Sequence, residues 1–120
     1  MIRGTTPTIT LTVDGFDLTD KSVEIYIREK GDTGEPMTFT EEDQQVDIQK
    51  TQKGTQILLN LSQEDTLGMK AGKSYQVQVR WIGEDDKAEA TDKETFVLGD
   101  IMKDGVIEYR GGDGDEGGNG

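Results

Sequence analysis

The chain has 120 residues, with 25 Asp and Glu against 13 Lys and Arg for a net charge of −12, and it contains neither cysteine nor histidine. That length suits one domain with a modest core, and the missing residue types exclude disulfide scaffolds, thiolate zinc sites, thiol nucleophiles and the commonest general base. The negative balance disfavours nucleic acid and anionic membranes as partners, no apolar run reaches bilayer length, and the start "MIRGTTPTIT" has no apolar leader region.

Period-two alternation runs along most of the chain. "TITLTV" sets Ile9, Leu11 and Val13 on one face, and "SVEIYIR" does the same with Val23, Ile25 and Ile27, so both read as half-buried strands. Between them "DGFDLTDK" is a turn-rich connection in which Phe16 and Leu18 have a short strand-like pattern. Met37 and Phe39 in "MTFT" and Val46 and Ile48 in "QVDIQKT" mark two more strands, separated by "TEEDQQ", a solvated loop or single helical turn. "QKGTQILLNL" then aligns Ile57, Leu59 and Leu61.

At "SQEDTLGM" the pattern changes. Ser62 is placed to cap a short helix with Asp65 as its reciprocal partner, and Gly68 to end it in a left-handed conformation, predicting a helical turn over 62–68. The longest clean alternation follows in "KSYQVQVRWI", with Tyr75, Val77, Val79 and Trp81 on one face. "GEDDK" supplies a turn into a return strand in "AEATDKETFVL", and "IMKDGVIEY" reads as a last short strand turning at Asp104 and Gly105. No stretch sustains an apolar period near 3.6, so about seven short strands predict an all-β, immunoglobulin-like antiparallel β-sandwich. Residues 1–110 are expected to form the single domain, with 1–7 either a candidate extended arm held straight by Pro7 or the frayed end of a first strand paired within its own sheet. The acidic, glycine-rich tail 111–120 has nothing to bury and is expected to be disordered.

"MKAGKSYQVQV" resembles the tyrosine corner of fibronectin type III and immunoglobulin-like sandwiches, residue by residue at Met69, Gly72, Tyr75, Val77 and Val79. The usual Leu and Pro of that family are here Met69 and Ala71. Tyr75 is accordingly assigned a structural role, its ring buried and its hydroxyl bonded to upstream backbone.

Four motifs together, "MIRGTTPTITLTV", "LSQEDTLGM", "VQVRW" and "KDGVI", resemble a group of small proteins encoded among the virion structural genes of phages and prophages of Gram-positive bacteria. The resemblance spans about residues 1–107. It implies a non-enzymatic tail, baseplate or neck component, made in the bacterial cytoplasm and residing in the virion. Its partners would be other phage structural proteins or further copies of itself. Candidate interaction residues are Ile2, Arg3, Thr5 and Thr6 in the arm, adding a strand to a neighbour's edge, and Trp81 at the end of its strand. The alternative is a surface-binding module for a bacterial cell-wall glycan, using Trp81 and the acidic hairpin.

No catalytic residue, cofactor or metal is expected. "GGDGDE" nearly matches a calcium-binding β-roll repeat, but Glu116 replaces Asp and one copy cannot build a roll. Glu84, Asp85 and Asp86, like Glu41, Glu42 and Asp43, read as solubilising acidic turns.

Overall fold

The computed structural model describes residues 1–110. The expected acidic tail, with Glu116, lies outside the described residues.

The alternating segments become strands, and most of their apolar residues point into one interior, with Ile82 and Val97 exposed. In chain order they are β1 (Thr8–Asp14), β2 (Ser22–Glu29), β3 (Met37–Thr40), β4 (Val46–Lys50), β5 (Gly54–Asn60), helix α1 (Gln63–Leu67), β6 (Ser74–Ile82), β7 (Ala88–Ala90) and β8 (Glu94–Val97). One antiparallel sheet has the order β1-β5-β4; the other runs β3-β2-β6-β7, and β8 also pairs with β6. β7 and β8 flank the same strand as two halves of one interrupted edge, Ala88–Ala90 opposite Arg80–Ile82 and Glu94–Val97 opposite Ser74–Val77. Counted so, seven strand positions form an immunoglobulin-like sandwich: β1-β5-β4 occupy the B-E-D places of the fold, and β3, β2, β6 and β7–β8 the C′-C-F-G places.

The core lies between the sheets. Leu11, Val13, Ile57 and Leu59 come from one side and Val23, Ile25, Ile27, Val77, Val79 and Trp81 from the other, all buried. Leu18, Leu61, Met69 and Leu98 close the ends. Leu18 sits in a turn, not a strand, and is fully buried because Thr55 anchors the connection: its hydroxyl donates to the Phe16 carbonyl (2.7 Å) and accepts the Leu18 N–H (2.9 Å). Gly54 is required beside it, since a Cβ there would lie 2.2 Å from the Val13 carbonyl oxygen.

The crossover between sheets holds a full capping box. The Ser62 hydroxyl accepts the Asp65 N–H (3.0 Å) and the Asp65 carboxylate accepts the Ser62 N–H (2.8 Å). Gly68, expected to be left-handed, is right-handed at φ −74°. The helix end is satisfied partly from within, the Gly68 N–H donating to Glu64 C=O (3.0 Å) and the Met69 N–H to Thr66 C=O (3.2 Å), and partly from outside, the Arg3 guanidinium donating to the carbonyls of Leu67 (2.9 Å) and Met69 (3.0 Å); the first left-handed residue is Gly72 at φ +77°. At the corner, the hydroxyl of Tyr75 accepts the Lys70 N–H at 2.7 Å, and its ring stacks on Phe96 with centroids 5.9 Å apart.

Two expectations fail at the ends of the domain. The strand predicted in "IMKDGVIEY" does not form; Ile107 is instead held by the Gln63 side chain, which donates to its carbonyl (2.9 Å) and accepts its N–H (2.7 Å). The candidate arm 1–7 is not a free arm but lies along its own domain. Ile2 forms a parallel bridge with Gly99, Arg3 N–H donates to Gly99 C=O (2.9 Å), Gly99 N–H donates to Met1 C=O (2.8 Å), and Leu61 N–H donates to Pro7 C=O (3.0 Å). Buried Thr66 completes the attachment by accepting from Gly4 N–H (2.8 Å) and donating to Thr5 C=O (2.9 Å).

Candidate functional site

Strands β2 and β6 lie side by side at the centre of the four-stranded sheet, and the alternation that buries their valines and isoleucines turns the intervening residues outward. On β2 these are Ser22, Glu24, Tyr26 and Arg28; on β6 they are Gln76, Gln78, Arg80 and Ile82. The register sets Arg28 opposite Gln76, Tyr26 opposite Gln78, and Glu24 opposite Arg80. The two arginines therefore stand at the two ends of a diagonal about 14 Å long, four strand residues apart.

A groove of about 330 Å³ runs between them, lined by Tyr26, Arg28, Pro36, Gln76, Gln78, Arg80 and Lys93. It adjoins a shallower hollow of about 160 Å³ that shares Tyr26 and Arg80 and extends to Ile82 and Ala88. Lys93 reaches the rim because the edge strand breaks between β7 and β8. At the break, Thr91 replaces the missing ladder: its hydroxyl accepts Val79 N–H (3.1 Å), its own N–H donates to Val79 C=O (2.9 Å), and its carbonyl accepts the Gln78 amide (2.9 Å).

The electrostatics of this face oppose those of the chain. Three cations line the larger groove and no carboxylate does, although acids outnumber bases by nearly two to one overall. Among the described residues Arg28, Arg80 and Lys93 form no ion pair; the paired cations are Arg3, Lys21, Lys50 and Lys70. Arg28 donates to the Gly34 carbonyl (3.1 Å), which orients it. Glu24 is the carboxylate at the far end of the face, where it accepts the Tyr26 hydroxyl and thereby raises the tyrosine above its ordinary pKa of 10.0. Two guanidinium forks, an ammonium, two amides and a phenol ring stand together on the sheet, donor chemistry of the kind that matches carboxylates and other polar acceptors.

The residues singled out in the sequence lie elsewhere. Trp81 is 5% exposed and packs on Phe16 with ring centroids 5.1 Å apart, so it belongs to the core and meets the shallower hollow only at its margin. Arg3 is a clamp, its guanidinium pairing with Asp104 (2.7 Å) and Asp100 (3.4 Å) while it holds the helix carbonyls; the Asp104 hydrogen bond raises its pKa further. Ile2 and Thr5 are exposed, yet their backbones are committed to Gly99 and Thr66, and Thr6 is exposed beside them. Glu41 accepts the N–H of Val23 on β2 (2.7 Å) and Asp43 the nearby Thr40 N–H (2.7 Å), backbone-satisfying roles, while Glu42 is exposed. Glu84, Asp85 and Asp86 form the β6–β7 turn, with Asp86 at φ +63°. Among the described residues no group of three such side chains converges to hold a metal ion, and no helix is long and apolar enough to cross a membrane.

The groove was readable in part. Tyr26, Arg28, Gln76, Gln78 and Arg80 are the outward positions of two alternating strands, but only the register brings them together. No family model, curated protein or solved structure matches the chain.

Proposed function

We infer that the chain is a non-enzymatic adaptor of a phage virion, joined to another structural protein through the outer face of its four-stranded sheet. One observation carries the choice of face: Arg28, Arg80 and Lys93 line a groove without a carboxylate on a protein of net charge −12. Leaving three cations unpaired where acids abound is compatible with an outside partner that supplies the anions, and a guanidinium binds a carboxylate through two parallel hydrogen bonds. The resemblance of the four sequence motifs to virion structural proteins supports the setting in a tail, baseplate or neck.

Mass spectrometry of density-purified particles tests this reading. The chain is expected at a copy number stoichiometric with the other structural proteins, and Arg28→Glu/Arg80→Glu is expected to fold yet fail to incorporate. Absence of the wild-type chain from complete particles overturns the virion assignment.

A second reading, recognition of a cell-wall glycan, is supported by Tyr26 beside Gln76 and Gln78, a ring with amide donors in an open groove. It no longer rests on Trp81. Titration with purified wall polymers separates it from the first: binding that Tyr26→Ala abolishes favours the glycan.

A further inference from the structure

β1 pairs only with β5, so among the described residues the place of strand A in the sandwich is empty and one long side of β1 is open. The residues before it do not cover that side, because residues 1–5 cross to Gly99 and Thr66. The alternation of the ladder identifies which groups are open. Pro7 C=O accepts from Leu61 N–H and Gly15 N–H donates to Lys53 C=O, so the odd residues of β1 bond to β5 and the backbone groups of Thr8, Thr10, Thr12 and Asp14 face outward.

The other edges carry the usual protections against strand addition. β3 has four residues and follows Pro36; β4 carries Asp47 and Lys50; the β7–β8 edge is interrupted and lined by Glu89, Asp92, Lys93 and Glu94. β1 has seven residues without interruption, and Thr8–Val13 bear no charge.

We propose that the open edge of β1 pairs antiparallel with β1 of a second copy, joining two three-stranded sheets into one across a two-fold axis at Leu11. Three features select a second copy as the occupant. Leu11 is the middle residue of the strand, so this register overlaps all seven residues and sets Thr8 opposite Asp14 and Thr10 opposite Thr12, forming roughly eight backbone hydrogen bonds. On the inner face Leu11 meets Leu11 and Ile9, only half buried in the single chain, meets Val13. The edge is also a neutral strip along which two chains of charge −12 approach without opposed like charges. The basic groove is on the other sheet and stays open in the dimer.

Analytical ultracentrifugation of the full chain tests this, with expected conversion from 13.2 kDa to twice that mass as concentration rises. Thr10→Lys/Thr12→Lys and Thr10→Glu/Thr12→Glu put like charges opposite each other, and each alone is expected to weaken dimerisation about tenfold or more. Mixed together they are expected to form the heterodimer. Hydrogen exchange of the wild type supplies a readout independent of any variant: the Thr10 and Thr12 amides slow as concentration rises. A chain that stays at 13.2 kDa up to millimolar concentration, a dimer unaffected by either double variant, or outward amides whose exchange ignores concentration overturns the proposal.

Discussion

Single side chains fix the corners of this fold, and Tyr75 is the plainest local case, acting across five residues. Its hydroxyl is the acceptor for Lys70 N–H in a partly buried corner. Tyr75→Phe keeps the stacking on Phe96 and strands that donor, so urea denaturation should show a loss of about 1–2 kcal/mol. Asp65 gives a pH signature. Burial pushes its carboxyl up, but hydrogen bonds from Ser62 N–H and the Gln45 amide outweigh that and hold it below its ordinary 3.8. A carboxylate lowered by folding stabilises fully above its unfolded value and loses that contribution as pH falls through the folded one. The stability gap between wild type and Asp65→Asn should therefore be constant above about pH 5 and narrow as pH falls through and below the unfolded carboxylate range; a gap unchanged on acidification in thermal melts contradicts the assignment. Tyr75 and the Ser62–Asp65 pair were legible because each is a local pattern with a fixed spacing. Arg3 was not: its acceptors are 64 and 66 residues away, and nothing in "MIRGTT" distinguishes a clamp from an arm.

At the scale of elements, strands were legible wherever one face is buried and the other wet. β6 shows this best, since every second residue from Tyr75 to Trp81 is buried. The signal faded where side chains stand in for strands. Thr91 maintains the ladder between β7 and β8 through its hydroxyl, so "AEATDKETFVL" reads as one weak strand although it forms two. "IMKDGVIEY" has the residues of a strand, but among the described residues it joins no sheet, and Gln63 takes up Ile107. The first seven residues likewise gain their position from tertiary contacts. Removing residues 1–6 deprives the buried Thr66 hydroxyl of both its bond from Gly4 and its bond to Thr5, and uncaps the end of α1. The truncated chain should melt about 10 °C or more below the full chain by circular dichroism, a loss on the order of 2 kcal/mol for a domain of this size. An unchanged melting temperature would show that the segment contributes nothing to the fold.

Across the whole molecule the charge distribution separates two kinds of surface. The acidic turns with Glu41–Asp43 and Glu84–Asp86 sit at one end of the sandwich, next to the start of β2, whereas the outer face of the β3-β2-β6-β7 sheet collects Arg28, Arg80 and Lys93 around Tyr26 and two glutamines. Positions 28, 80 and 93 look unrelated in sequence. Two long-range facts bring them together, the β2–β6 register and the break that frees Lys93, and neither is a local property. The sandwich was thus readable from alternation, while its most distinctive face was not.

Lys93 also supplies the most direct test of that face, because a carbodiimide joins an amine to a carboxylate only when the two touch. Treating density-purified particles with the reagent and mapping the products by mass spectrometry should find Lys93 coupled to an Asp or Glu of a different structural protein, and that product should disappear in a competing excess of free acidic peptide during reassembly. Particles that contain the chain but yield products from its other lysines and none from Lys93 would contradict the groove as the partner-binding face.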